Sequence, residues 1–118
     1  NEDPNVLTAS VSTDVPTVYH GFKKSVARLK DKKFLGKRDE KKEGRPYVWM
    51  SWNEADDYIT GLARGFKALD MMPDIESDGK KWNFIGVYAK NRPEWVLCDL
   101  ACAALNGTTI ALYDTLGP

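Results

Sequence analysis

The sequence predicts an α/β fold built around a parallel βαβ unit, and three segments near its end support this prediction. Residues 83–89 are mostly apolar on both faces, which is typical of a strand inside a parallel sheet. Residues 92–105 have the composition of a buried helix, and residues 108–112 form a second β-favouring run. The connections between these segments are short, as expected for a right-handed crossover unit.

Length and composition limit the class of protein. The chain of 118 residues has room for one globular domain, and its four Trp, five Tyr and four Phe provide apolar surface for a core. The 17 basic residues balance the 17 acidic ones, so net charge gives no reason to expect a nucleic-acid partner. No segment approaches the roughly 20 apolar residues of a membrane-spanning helix, and the opening residues do not resemble a targeting peptide.

The domain is expected to begin with a helix. Residues 1–16 look like an extended lead-in, and the domain itself is expected to cover residues 17–118. After a candidate N-cap at Thr17, apolar residues recur at helical spacing and predict a helix that ends near Lys30. Residues 31–46 are mostly charged and are expected to form a surface loop.

A second helix is predicted over residues 52–69, and it is expected to cover the sheet of the βαβ unit. Ser51 and Glu54 fit a capping box, in which the Ser51 oxygen accepts a hydrogen bond from the backbone N–H of Glu54 and the Glu54 carboxylate accepts one from the backbone N–H of Ser51. Gly61 and Gly65 form a GxxxG spacing inside this helix, which predicts the close approach of a neighbouring element.

Shorter sequence patterns lie between the predicted helices and at the ends of the last one. Residues 47–50 form a β-favouring run, and residues 74–81 are expected to be a polar connection. Asn91 is expected to be the N-cap of the last helix, with a proline in its first turn. The pair Asn106 and Gly107 is expected to end that helix.

The two cysteines are expected to be small core residues. Cys98 and Cys102 are four residues apart in the predicted last helix, where side-chain directions suit a disulfide poorly. No second His or Cys lies near them in the sequence to complete a ligand set, so the sequence predicts no metal site.

Basic residues are concentrated in one part of the chain. Between Lys23 and Arg45 there are 11 basic and four acidic residues, a local net charge of +7 that the remaining sequence balances. This segment is a candidate surface for anionic lipid headgroups, and the alternative is an ordinary solvated face. The candidate membrane-facing residues are Lys23, Lys24, Arg28, Lys30, Lys32 and Lys33.

The predicted sheet is too small to be complete. Parallel sheets are normally covered on both faces and have more strands than the two or three found here. The segment therefore looks like the opening part of a larger α/β domain, truncated at Pro118. Its exposed sheet is expected to be covered by the rest of a longer chain or by a partner chain.

Several stretches resemble one enzyme family. The sequences YVWMSWNE (47–54), FIGVYAKNRPEW (84–95) and LYDTLGP (112–118), together with FLGKR (34–38), are similar to the N-terminal region of long-chain fatty acyl-CoA synthetases. These enzymes, also called long-chain fatty acid–CoA ligases, are members of the adenylate-forming superfamily. The resemblance implies that the chain is an incomplete parallel βαβ portion of the large N-terminal domain of such an enzyme.

The resemblance also implies an activity for the parent chain. Enzymes of this family convert a fatty acid, ATP and CoA to acyl-CoA, AMP and pyrophosphate through an acyl-adenylate, with Mg²⁺ balancing phosphate charge. The family's phosphate-binding loop, magnesium-associated Glu, ribose-binding Asp and C-terminal Lys have no counterpart in this segment. We therefore expect no catalytic residue here, no bound ATP, Mg²⁺ or CoA, and no activity from these 118 residues alone. Family members are often membrane-associated and face the cytosol.

Three residues are the candidate substrate contacts of the segment. Tyr113, Asp114 and Thr115 follow the second predicted strand, at the end of a parallel sheet where open α/β folds place ligands. The alternative role for Asp114 is an Asx-turn or a helix cap. A different class of function is also open, in which the chain is a non-catalytic structural or assembly subunit derived from this domain.

Overall fold

The computed structural model describes residues 14–112, which form three helices and three two-stranded sheets. Most of the predicted lead-in lies outside the described residues. The observed mixture of helices and small sheets is that of an α/β protein.

The first helix, α1, spans Val18–Leu29, as predicted. It begins at Thr17, whose side-chain oxygen accepts a hydrogen bond from the backbone N–H of His20 at 3.3 Å. Such a cap satisfies one of the N–H groups that the first turn leaves without a helical partner. Phe22 and Val26 are the buried residues of α1, one turn apart on the face that meets the core.

The prediction of a loop over residues 31–46 is wrong. Strand β1 (Lys33–Arg38) lies in this segment and pairs in antiparallel fashion with β2 (Tyr47–Ser51), so the loop is limited to the connection between them. The β-favouring run of β2 provides β1 with backbone partners, and this pairing outweighs the charged composition of β1. The pair of strands is called the ribbon below.

The ribbon contains a bulge at Phe34. Lys33 is opposite Ser51, whereas Leu35 is opposite Met50, so one extra residue of β1 stands between these two pairs. The extra residue lets Phe34 and Leu35 both pack towards the core, although neighbouring residues of a regular strand point to opposite faces.

Helix α2 (Trp52–Ala68) begins with the predicted capping box. The backbone N–H of Glu54 donates to Ser51 Oγ at 3.2 Å, and the backbone N–H of Ser51 donates to Glu54 Oε2 at 2.7 Å. The close approach predicted at Gly61 and Gly65 is not found among the described residues. A Cβ added to either glycine would have no heavy atom within 4 Å outside its immediate neighbours.

The polar connection predicted at residues 74–81 is a small β-hairpin. Strand β3 (Ile75–Ser77) pairs with β4 (Lys80–Trp82) in antiparallel fashion. Asp78 and Gly79 form the turn with φ angles of 52° and 69°. An Asp-Gly pair adopts positive φ at both positions of a two-residue hairpin turn with little strain, and this signal was present in the sequence.

The last three elements are β5 (Phe84–Tyr88), α3 (Pro93–Ala103) and β6 (Thr108–Leu112), and β5 pairs with β6 in parallel. The N-cap of α3 is Arg92 and not Asn91, because the first helical residue is Pro93. Asn106 has a φ of 57°, in the left-handed region that commonly follows a helix.

The core lies where the three helices meet the ribbon. Helix α2 packs on α1, on α3 and on both ribbon strands. We expected α2 to cover the β5–β6 sheet, but its principal contacts are with α3 and the ribbon. The buried residues are Phe22, Val26, Ala55, Ile59, Phe66, Ile85, Leu97, Leu100, Ala101 and Cys102.

An aromatic group closes the core beneath the ribbon. The ring centroids of Phe34 and Trp52 are 3.9 Å apart, and Phe22 lies 5.8 Å from each of them. These rings come from β1, α2 and α1, so their contacts join the ribbon to the two helices.

The β5–β6 sheet is covered on one face only within residues 14–112. Ile85 is buried, and the Thr109 hydroxyl donates to Asp99 of α3. On the opposite face, Tyr88, Ile110 and Leu112 are 65%, 46% and 44% exposed. In the described part of the chain, no helix has both the length and the apolar composition needed to span a membrane.

Candidate functional site

The three predicted substrate contacts, Tyr113, Asp114 and Thr115, lie outside the described residues. The strand that leads to them, β6, ends at Leu112, which is opposite Tyr88 at the end of β5. The two strands are parallel and in register, so their carboxyl ends lie side by side at one edge of the sheet. Ligands bind at this edge in open α/β sheets.

A surface groove of about 450 Å³ begins beside the same edge. It lies between the ribbon and the N-terminus of α3, and it is lined by Leu35, Gly36, Lys37, Arg38, Tyr47, Asn91, Arg92, Pro93 and Val96. Three cationic side chains and a helix N-terminus give this groove a positive character.

Glu94, in the first turn of α3, offsets part of the positive charge of the groove. Arg92 Nε lies 2.9 Å from Glu94 Oε2, and Lys37 Nζ lies 3.7 Å from Glu94 Oε1. The hydrogen bond from Arg92, followed by a backbone hydrogen bond in the first turn of α3, lowers the pKa of Glu94 from 4.5 to about 2. Glu94 therefore stays ionised and links α3 to the ribbon, although its side chain is about half exposed.

The six candidate membrane-facing residues are all exposed, but they do not form one uniform surface. Lys23 pairs with Asp56 of α2, and Lys24 pairs with Asp14. The backbone carbonyls of Lys30 and Lys32 accept hydrogen bonds from the first residues of α2, which fixes the turn between α1 and β1. The side chain of Arg28 extends from the last turn of α1.

Lys33, the last of the six, belongs to a surface that sequence reasoning missed. It lies on the side of the ribbon that faces away from the core, and its Nζ is 5.3 Å from the centroid of the Trp49 ring. On the same side, the Arg38 guanidinium carbon is 4.8 Å from the centroid of the Tyr47 ring. We call Lys33, Gly36, Arg38, Tyr47 and Trp49 the outer ribbon face. The β-favouring run at residues 47–50 was the sequence signal for this surface, because a strand is not stable alone and needs a partner strand.

Both cysteines are free, as the sequence predicted, and Cys102 is buried in the core at 1% exposure. Its Sγ lies 3.9 Å from Met72 Sδ. Burial raises the pKa of the Cys102 thiol to about 11, and the negative charge of Asp99 adds to this effect. Burial also raises the pKa of Cys98. Cys102 is therefore a packing residue and not an activated nucleophile.

Within residues 14–112, no three side chains of His, Cys, Asp or Glu are placed to hold a metal ion. The imidazole of His20 lies beside its helix cap, with Nδ1 2.8 Å from Thr17 Oγ1.

Comparison with known proteins identifies relatives across most of the chain. Long-chain-fatty-acid–CoA ligase 1 of Cavia porcellus is 36% identical over 106 residues, which are 88% of this chain and 14% of that protein. Human long-chain-fatty-acid–CoA ligase 6 is 34% identical over 115 residues, 98% of this chain and 15% of that protein. Long chain acyl-CoA synthetase 6, peroxisomal, of Arabidopsis thaliana is 33% identical over 89% of this chain and 14% of that protein.

The chain thus spans about one-seventh of the length of these relatives. The resemblance to long-chain fatty acyl-CoA synthetases is confirmed by relatives of that name. No solved structure matches the chain with significance. The family model for AMP-binding enzymes matches residues 22–118, which include most of α1, the ribbon, α2 and the β5–α3–β6 segment. The chain belongs to the AMP-binding enzyme family.

Proposed function

We propose that this sequence is the N-terminal segment of an ATP-dependent long-chain fatty acid–CoA ligase. The observation that carries the proposal is the similarity to long-chain-fatty-acid–CoA ligases along 88–98% of the chain, at 34–36% identity. The position of the segment in such an enzyme follows the order of the family motifs, from FLGKR to LYDTLGP.

The proposed reaction has two steps. A carboxylate oxygen of the fatty acid attacks the α-phosphorus of ATP, and pyrophosphate leaves. The CoA thiol then attacks the carbonyl carbon of the acyl-adenylate, AMP leaves, and the thioester forms. ATP, Mg²⁺ and CoA are the cofactors and cosubstrates that this chemistry needs.

The described residues do not fit a site for these groups. The glycines of α2 lie inside a helix, and no metal-ligating group is assembled within residues 14–112. We therefore assign no contact with ATP, Mg²⁺ or CoA to these residues, and the segment is expected to be inert alone. Tyr113, Asp114 and Thr115 are proposed as substrate contacts, because they follow β6 at the ligand-binding edge of the sheet.

The proposed role of the described part is structural. The β5–α3–β6 segment would be a parallel βαβ portion of a larger sheet, and the apolar face with Tyr88, Ile110 and Leu112 supports this assignment. Parallel sheets are buried on both faces, so an apolar face that is open within residues 14–112 suits a sheet covered by other segments of the ligase.

The test is an activation assay on the natural chain that contains this sequence. The purified chain is incubated with ATP, Mg²⁺, CoA and a long-chain fatty acid, and acyl-CoA, AMP and pyrophosphate are quantified. Equal amounts of the three products support the proposal. Release of AMP without acyl-CoA would assign a different acceptor and contradict the ligase assignment.

The same assay separates the alternative function. A natural chain that forms none of the products, has an intact mass near 13.3 kDa and co-purifies in fixed stoichiometry with a second protein would be a non-catalytic assembly subunit. The variants Tyr113→Ala and Asp114→Ala test the substrate contacts, with Tyr58→Ala on α2, a tyrosine that is 60% exposed, as the control. A rise in KM for the fatty acid that is confined to the first two variants is the expected result.

A further inference from the structure

The outer ribbon face presents two partly exposed aromatic rings with a cation against each. Trp49 is 43% exposed and Tyr47 is 53% exposed, and their ring centroids are 5.6 Å apart. Lys33 approaches the Trp49 ring, and Arg38 approaches the Tyr47 ring, within the distance of a cation–π contact. This arrangement differs from that of Phe22, Phe34 and Trp52, called the inner aromatic group, whose rings pack on one another at the core.

Two local features build this face. The bulge at Phe34 places Lys33 opposite Ser51, and therefore on the same side of the ribbon as Trp49. Gly36 is opposite Trp49, and a Cβ on Gly36 would lie 2.8 Å from Trp49 Cε3. The missing side chain thus leaves space for the indole to lie across β1.

The charge of the ribbon is distinct from that of the whole chain. Six basic and three acidic residues lie from Lys33 to Ser51, which is the ribbon with the connection between its strands, a net charge of +3, although the complete chain has a formal net charge of zero. Arg38 Nη1 also donates to the backbone carbonyl of Arg45 at 3.3 Å, which helps to hold the guanidinium over Tyr47. The positive charge is therefore held beside the aromatic rings.

We infer that the outer ribbon face docks on an anionic lipid surface. Trp and Tyr rings are favourable at the boundary between headgroups and acyl chains, because their bodies are apolar and their tips are polar. Lys33 and Arg38 can lie along these rings and direct their charges to lipid phosphates. A nucleic acid suits the geometry less well, since the Trp49 ring lies across Gly36 and has Lys33 against it.

This surface differs from the one that the sequence suggested. Lys23 and Lys24 of α1 are engaged in ion pairs, whereas Lys33 stands beside an exposed ring. The inference therefore places the lipid contact on the β1 part of the predicted basic segment and adds Tyr47 and Trp49 of β2 to it. It does not depend on ligase activity, so the failure of one proposal does not affect the other.

The test is vesicle binding by the natural chain that contains this sequence. Co-sedimentation is measured with phosphatidylcholine vesicles and with vesicles that contain about one-third phosphatidylserine. The variant K33Q/R38Q is compared with R64Q/K80Q, which removes the same charge from exposed positions outside the ribbon. Loss of two membrane-facing cations should weaken binding to the anionic vesicles roughly 30-fold. The control variant should bind within about twofold of the unmodified chain.

Trp49 provides a second measurement, which does not depend on charge. Brominated lipids quench tryptophans that enter the interface, and the variant Trp49→Phe should lose most of this quenching. Trp82→Phe, on the exposed hairpin strand β4, is the matched control and should retain it. Equal binding by K33Q/R38Q and R64Q/K80Q, or quenching that is unchanged in Trp49→Phe, would overturn the inference. Shielding of Trp49 from a water-soluble quencher without vesicles would also overturn it, because another segment would then cover the face.

Discussion

Gly107 faces Met72 so closely that a Cβ added to Gly107 would lie 1.9 Å from Met72 Cε and 3.0 Å from Cys102 Sγ. The glycine stands between α3 and β6, at the point where its backbone N–H donates to the Cys102 carbonyl at 3.0 Å. Only a residue without a side chain therefore fits at position 107, and Met72 packs against the core beside it.

The variant Gly107→Ala is expected to lower the free energy of unfolding by about 2 kcal/mol, because the new methyl group overpacks the site. Urea unfolding of the natural chain measures this change. The double variant Gly107→Ala/Met72→Ala should lose less stability than the sum of the two single variants. Additive losses would show that the methyl group does not meet Met72.

Gly61 and Gly65 lead to a prediction of the opposite sign. A Cβ at either position meets open space in the described structure, so Gly61→Ala and Gly65→Ala should each stabilise α2 by about 1 kcal/mol through helix propensity. Thermal unfolding provides the measurement. Destabilisation instead would mean that another segment of the natural chain packs on this side of α2.

The capping box predicts a cost for Ser51→Ala of about 1 kcal/mol in the free energy of unfolding, since the Glu54 N–H loses its acceptor. Ser77→Ala, at an exposed position of strand β3, is a control for loss of a hydroxyl. Hydrogen bonds from Ser51 also lower the pKa of Glu54 below 4.5. This contribution is complete above pH 4.5 and falls as pH falls through the lowered value. Residue 51 keeps its backbone N–H in Ser51→Ala, so the pH dependence that comes from Glu54 should largely persist in that variant and be lost in Glu54→Gln, as measured by unfolding curves at neutral and acidic pH.

Glu94 provides a second test of pH dependence. Its pKa in the folded chain is about 2, below the ordinary value of 4.5, so its ion pairs stabilise the fold above pH 4.5 and are lost as pH falls towards 2. Glu94→Gln should reduce the loss of stability across this interval, measured by thermal unfolding at a series of pH values. Glu76→Gln, on strand β3, serves as the control carboxylate, and an equal effect of the two substitutions would contradict the assignment.

Cys102 should be slow to react with thiol reagents in the folded chain. At pH 8, a pKa of about 11 in place of 9.0 lowers the thiolate fraction on the order of 100-fold. A Cys98→Ser variant isolates the Cys102 signal, and the reaction rate is followed by absorbance in folded and urea-unfolded chain. Similar rates in the two states would show that Cys102 is not held in the core.

Local signals in the sequence were sufficient for the helices and for β5 and β6. The Thr17 cap and the Ser51–Glu54 capping box lie within four residues of the helix starts that they define, so their effects could be read from the sequence. Strand β1 was missed because its existence depends on pairing with residues 9 to 18 positions away, and its charged composition favoured a loop.

The site was less predictable than the fold. The position of Lys33 against Trp49 results from the bulge at Phe34, and a count of alternating residues does not reveal a bulge. The family resemblance, in contrast, could be identified from short motifs because these motifs keep their order and spacing. The roles of Tyr113, Asp114 and Thr115 remain predictions, since these residues lie outside the described part.

The bulge at Phe34 also determines which length changes the ribbon can accept. Deletion of Phe34 would restore regular alternation and leave Lys33 opposite Ser51, but it would remove one ring from the inner aromatic group. Deletion of one residue between Leu35 and Arg38 would instead exchange the two faces of the strand beyond it. Homologous sequences that keep this ribbon should therefore vary in length within the connection 39–46 and hardly at all within β1.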